Sequence, residues 1–248
     1  MKLKYVGLIA AVFSSIWTVN ANYHSDTYIT NEERWKNVME INRETKSDDS
    51  FEEVVTSTYN SLELNSYEAP SLKVFTSALR GYYKMVEEGN IQNAKLTIVD
   101  FSLSSSKQRL WVIDMNNNEV VLQSYVAHGR KTGDEFATTF SNRVNSHMSS
   151  LGFYITGETY MGRNGFSMRL DGVEKGINDN ARRRAIVVHG ADYASEELVE
   201  RQGKLGRSYG CPAVPMEVNR TLIELIKDHS CLFIYFPSND YISRSSIV

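Results

Sequence analysis

The chain has 248 residues, 42% of them hydrophobic, and its 27 Lys and Arg against 30 Asp and Glu give a net charge of −3. This composition excludes a generally disordered chain, and so mild and evenly spread a charge excludes a general nucleic-acid binder, which needs a basic face. At this length one large domain, or a medium domain with a smaller helper, buries a sizeable core without disulfides.

Lys2 and Lys4 precede an apolar run from Tyr5 to about Trp17, and Val19-Asn20-Ala21 offers the small residues a leader peptidase cuts after. The pattern predicts a signal peptide over residues 1–21 and an exported protein of the periplasm or cell envelope, with secretion possible. The run is shorter than the roughly 20 residues that span a bilayer, so no stable membrane anchor is expected. A weak amphipathic pattern from Asn31 to Met39 is followed by a charged, linker-like segment, Arg43 to Asp49. Ser50-Phe51-Glu52-Glu53 has capping-box spacing, and Phe51, Val54, Val55, Tyr59 and Leu62 recur at helical intervals. Pro70-Ser71 opens a second helix striped by Leu72, Phe75, Leu79, Tyr82 and Val86, and Gly89-Asn90 ends it.

From Leu96 the hydrophobic period becomes two. Leu96–Phe101, Arg109–Asp114, Glu119–Ala127, Gly152–Thr156, Phe166–Leu170, Ala185–His189 and Cys231–Phe236 read as strands separated by loops rich in Gly, Asn and Ser. One late helix starts at Pro215 and buries Val218, Leu222, Leu225 and Ile226. The expected fold is mainly β (α+β): a sandwich or barrel with a helix after the reactive loop, preceded by a small helical region. The expected divisions are 22–90 helical, 91–237 catalytic and 238–248 tail.

Reactive residue types concentrate in Leu205-Gly-Arg-Ser208-Tyr209-Gly210-Cys211-Pro-Ala213. A thiol on a glycine-bearing turn attacks acyl carbon when a base takes its proton and free backbone N–H groups bind the oxyanion. The helix that follows could lower the thiol pKa if its positive end points that way. Among five histidines, His189 is the best-placed base, since it ends an apolar strand where sheet meets loop. Cys211 and Cys231 would pair in an oxidising compartment if geometry allowed, and spacing alone leaves that open. Neither cysteines nor histidines show zinc-ligand spacing, so no metal is expected. Arg182-Arg183-Arg184 reads as a solvated edge, and the loop Ala191 to Gly206 as a lid or a solvated insertion.

Val188-His189-Gly190 followed by Ser208-Tyr209-Gly210-Cys211 resembles the signature of the YkuD-type murein L,D-transpeptidase catalytic domain, a His-Gly before a Ser-x-Gly-Cys. Further stretches, Leu96–Ser102, Leu110–Asp114, Ala127-His128-Gly129, Ser149–Phe153, Glu158–Tyr160 and Leu170–Gly172, resemble its YkuD_2 branch, so the likeness runs from about Ser71 to Phe236. It implies Cys211 as nucleophile, His189 as general base and the Gly190 carbonyl as its orienter. It also implies Tyr209 and Gly210 amides, with that of Cys211, in an oxyanion hole, and Ser208 shaping the turn or the substrate groove; His128, in a second His-Gly at a strand end, reads as a turn histidine or a direct substrate contact. The commoner family pattern has a histidine at the Tyr209 position, a shorter His-to-Cys spacing, and a polar or basic residue soon after the cysteine, where this chain has Pro212-Ala213.

The activity so implied is acyl transfer on peptidoglycan stem peptides without a cofactor. Cys211 attacks the carbonyl before a terminal D-alanine, D-alanine leaves, and an amine resolves the thioester into an L,D cross-link. Water as acceptor would make the protein an L,D-carboxypeptidase. A third reading is a non-catalytic wall-binding protein with Cys211 and Cys231 joined as a disulfide. A sortase-like enzyme would need an arginine beside the cysteine, and Arg220 falls on the expected helix instead.

Overall fold

Runs such as Leu96-Thr-Ile-Val99 and Cys231-Leu-Phe-Ile234 have no polar face, so strands built from them need cover on both sides. The computed structural model describes residues 48–248. The signal peptide and the Asn31–Met39 pattern lie outside the described residues. In chain order the elements are α1 (Asp48–Asn60), α2 (Leu72–Glu87), β1 (Lys95–Asp100), β2 (Leu110–Asp114), β3 (Glu119–Ser124), β4 (Gly152–Gly162), β5 (Gly165–Gly172), β6 (Val187–Gly190), α3 (Glu196–Gln202), β7 (Ala213–Val214), α4 (Met216–Ile226), β8 (Cys231–Tyr235) and α5 (Asn239–Arg244).

The strands form one sheet in the order β3-β2-β1-β8-β4-β5-β6-β7. The β1–β8 and β6–β7 pairs are parallel and the other neighbours antiparallel. The two ends of the sheet meet: Ala127, just beyond β3, bridges to Ala213 of β7, and Gly129 bridges to Ser208. The sheet is therefore nearly closed, like a barrel, and the reactive loop lies across its seam.

Helix α2 buries Val74, Phe75, Ala78, Leu79, Tyr82 and Met85, the i, i+3, i+4 stripe that its sequence carries, against β1 and β8. Its approach is close because residue 81 is glycine; a Cβ there would stand 2.1 Å from the Phe153 ring. That ring stacks on Phe233 at 4.2 Å. Helix α4 buries Leu222, Ile223 and Ile226 and packs along β6, β5 and β1. α5 is tied to the body through buried Glu174, which accepts from Tyr241 Oη at 3.1 Å and the Phe153 amide at 2.7 Å.

Both cysteines are free thiols. Cys231 is in β8, four strands away from β7 in the sheet order, with its sulfur 3.8 Å from that of Met85. The wall-binding reading thus loses its disulfide. The segment from Ala191 to Gly206 is anchored near its two ends, while its helix stays out at the surface. A 3₁₀ turn (Asp192–Ala194) leads into α3, capped by Ser195 and closed by Gly203 at φ 78°. Ala194 and Leu205 dock this unit on Ala127 and Ala213 in a small apolar cluster of their own.

Candidate active site

His189 is held from both sides within the sheet. It pairs with Ser167 of β5 and, in parallel register, with Ala213 of β7. The residue is only 4% exposed, and its Nδ1 lies 2.8 Å from the Gly190 carbonyl oxygen. A carbonyl only accepts, so Nδ1 carries the proton and Nε2 keeps its lone pair. Burial lowers the imidazole pKa from its usual value, and the Gly190 bond partly opposes this. Residue 190 is glycine because α4 packs behind it: a Cβ would meet the Met216 sulfur at 2.8 Å.

Cys211 reaches the same stretch of chain. Its half-buried sulfur is 3.7 Å from the Ala185 carbonyl oxygen, two residues before β6. Burial pushes the thiol pKa up, while the Val187 N–H and the Arg184 charge pull it down. The nearby cation is thus Arg184. Arg184 belongs to the triplet read as a solvated edge, yet its half-buried guanidinium donates to Ser141 O and Ser150 Oγ, at 2.8 and 2.7 Å, and to Met148 O. Arg182 does lie at the surface, paired with Glu158 and Asp171.

The turn before Cys211 has an internal brace. Ser208 Oγ donates to Cys211 O at 2.6 Å and accepts from the Gly210 N–H at 3.0 Å. Ser208 is buried and braces the turn. The Gly210 amide is taken up by this brace, whereas the amides of Tyr209 and Cys211 have no protein acceptor among the described residues. Gly210 sits at φ 120°, and a Cβ there would stand 2.6 Å from Met148 O, so no other residue fits.

His128 is placed behind the turn rather than in the open. It is 1% exposed, its carbonyl accepts from Ser208 N at 2.9 Å, and its Nδ1 is 2.9 Å from Nη2 of Arg109. Arginine only donates, so here, unlike in His189, Nδ1 accepts, and Nε2 is buried without a hydrogen-bond partner. Burial, then the Arg109 charge, lower the His128 pKa to about 4, so the ring is neutral. The imidazole is enclosed. Arg109 itself is fully buried, donating to Val126 O and Leu103 O with Asp100 nearby, and burial pulls its pKa down to about 9.

Tyr209 is the exposed member of the turn, its side chain flanked by those of Arg130 and His147. Sequence reading missed Arg184, Arg109 and this pair. Three arginines in a row carry no facing information, and Arg130 and His147 meet Tyr209 only in the folded chain.

A family model described as the L,D-transpeptidase catalytic domain matches residues 67–235. No curated protein matches. Among solved structures, an L,D-transpeptidase from Mycobacterium smegmatis is similar at 12% identity and TM-score 0.36, over 58% of this chain and 59% of that one. An L,D-transpeptidase from Stackebrandtia nassauensis gives 12% and 0.35 over 67% and 68%. The helical cell shape determining protein from Campylobacter jejuni gives 11% and 0.38 over 64% and 56%. The chain spans less than two thirds of the M. smegmatis and C. jejuni proteins. With the family model covering most of its length, this chain belongs to the YkuD_2 family of L,D-transpeptidase catalytic domains.

Proposed function

We propose that the protein is an exported cysteine acyltransferase that cuts and rejoins peptidoglycan stem peptides. His189 Nε2 takes the Cys211 S–H proton as sulfur bonds to the carbonyl carbon before the terminal D-alanine. The C–N bond then breaks, the proton passes from His189 to the departing amine, and the stem remains as a thioester. The amides of Tyr209 and Cys211 receive the oxyanion of the tetrahedral intermediate. An acceptor amine repeats the steps in reverse to give an L,D cross-link. The observation that carries this reading is the Nδ1 contact from His189 to Gly190 O, which leaves Nε2 basic, on the strand whose preceding turn receives a free Cys211 sulfur.

The test is mass spectrometry of disaccharide-tetrapeptide stems incubated with the protein and with Cys211→Ala. D-alanine release with cross-linked dimers from the intact protein alone is the expected result. Tripeptide without dimers makes it the carboxypeptidase, and untouched stems in both samples overturn the assignment.

The pKa directions give a second expectation. With Cys211 raised and His189 lowered, the resting groups are a neutral thiol and a neutral imidazole, not an ion pair. Acylation by stems therefore rises with pH through a value below the usual 6.5 of histidine and is level at neutrality. Alkylation by iodoacetamide, which needs thiolate, stays slow at pH 7 and climbs beyond pH 9. Peptide mapping separates Cys211 from buried Cys231. Fast alkylation persisting to pH 5 would mean a thiolate–imidazolium pair and contradict this state.

A further inference from the structure

Three side chains from separate segments meet on the open side of the nucleophile turn and have no part in the steps above. Tyr209 is 63% exposed although it is two residues from Cys211. His147 meets its ring edge-on, centroids 4.8 Å apart at 79°. The Arg130 guanidinium carbon lies 5.5 Å from the ring centroid, and its Nη1 is 3.5 Å from the phenol oxygen. Backbone bonds fix the arrangement: Arg130 N donates to Ser208 O at 2.7 Å, and Lys131 N to His147 O at 3.1 Å.

Arg130 has no carboxylate within ion-pair distance among the described residues, whereas its neighbour Arg207 is paired with Asp134 at 3.2 Å. A guanidinium resting on an aromatic ring keeps a planar fork of N–H donors pointing outward, a shape matched by a carboxylate taken in two parallel hydrogen bonds. The ring holds the fork in place, so little side-chain freedom is lost on binding.

We propose that Arg130, held over Tyr209 with His147 bracing the ring, binds the free carboxylate of the donor stem's terminal D-amino acid. This rests on the acyl-transfer reading. The carboxylate lies one residue, about 3.8 Å, beyond the carbonyl under attack, and Tyr209, two residues before Cys211, is at most about 7 Å from it along the backbone. The clamp therefore stands within a residue or two of the nucleophile, on the side of the turn that is open to solvent.

The experiment compares a tetrapeptide stem with its C-terminal amide, using the protein, Arg130→Ala and Arg130→Lys. Acyl-enzyme formation is followed by intact mass. Amidation is expected to lower kcat/KM about tenfold or more in the unaltered protein, through KM. Arg130→Ala should lose a similar factor on the free acid and nothing further on the amide, and lysine should restore part. Equal loss on both stems, or no loss, overturns the clamp. Calorimetric binding of both stems to Cys211→Ala separates the two readings. If no stem is turned over but the acid still binds better than the amide only when Arg130 is present, the clamp stands and the acyl-transfer reading falls. If neither chemistry nor binding distinguishes acid from amide, the clamp falls alone.

Discussion

His189→Gln should slow acylation of Cys211 by about 10²–10⁴-fold at pH 7, the range that a positioned general base contributes. Glutamine can still donate to the Gly190 carbonyl, where His189 Nδ1 lies at 2.8 Å, so the wall of the site keeps its hydrogen bond while the proton acceptor is lost. KM for the stem should change little. Because the Cys211 thiol is held above its usual range, the variant should recover part of its rate only above about pH 9, where thiolate forms without help. Stopped-flow or quenched intact-mass kinetics across pH 5–10 reads both effects. A variant that acylates at the original rate at pH 7 would show that another group takes the thiol proton.

The largest stability loss is expected at Arg109→Leu. The fully buried guanidinium donates to Val126 O through Nε and Nη2, at 3.2 and 3.0 Å, to Leu103 O at 2.7 Å, and to His128 Nδ1 at 2.9 Å. Leucine leaves these acceptors bare and Asp100 without its neighbouring cation. Removing one partner of a buried charged cluster costs about 3–5 kcal/mol, which for a chain of this size lowers Tm by roughly 10 °C or more. Activity should fall as well, since the segment from Val126 to His128 carries the carbonyl that accepts from Ser208 N. Urea unfolding of both proteins measures the difference, and a loss under about 1 kcal/mol would contradict the account.

The strands around Leu96, Leu110 and Cys231 could be read because they are buried on both faces, and the stripe of Phe75, Leu79 and Tyr82 because a helix puts them on one side. The far half of β4 could not. Its register shifts between Thr156 and Thr159, so Gly157-Glu158 breaks the alternation that would announce a strand reaching Gly162. β7 is two residues long, too short for any period, and α3 has no buried residue and hence no stripe. The strand expected from Ala185 starts later, at Val187, because Ala185 stands at φ 53° and closes a turn. That turn also explains Arg184, since a reversal of chain direction, invisible in three consecutive arginines, separates its surroundings from those of Arg182. His128 and His189 look alike in sequence, each ending an apolar stretch before a glycine. What distinguishes them is the partner of Nδ1: a carbonyl for His189, and for His128 an arginine buried beneath the sheet.

The sheet's seam joins its ends through few bonds. Ala127 and Ala213 exchange two backbone hydrogen bonds, of 2.8 and 3.4 Å, and Ser208 adds one to His128 O and one from Arg130 N. A joint of so few bonds opens at lower free energy than the β1–β8–β4 centre, so amide exchange at Ala127, Arg130, Ser208 and Ala213 should run ahead of global unfolding. Since the nucleophile turn lies on that joint, each sub-global opening also dissolves the oxyanion donors and bares the sulfur to oxidants. Occupancy of the site by a stem then acts as a clasp on the barrel, and protection at those amides is a label-free gauge of binding.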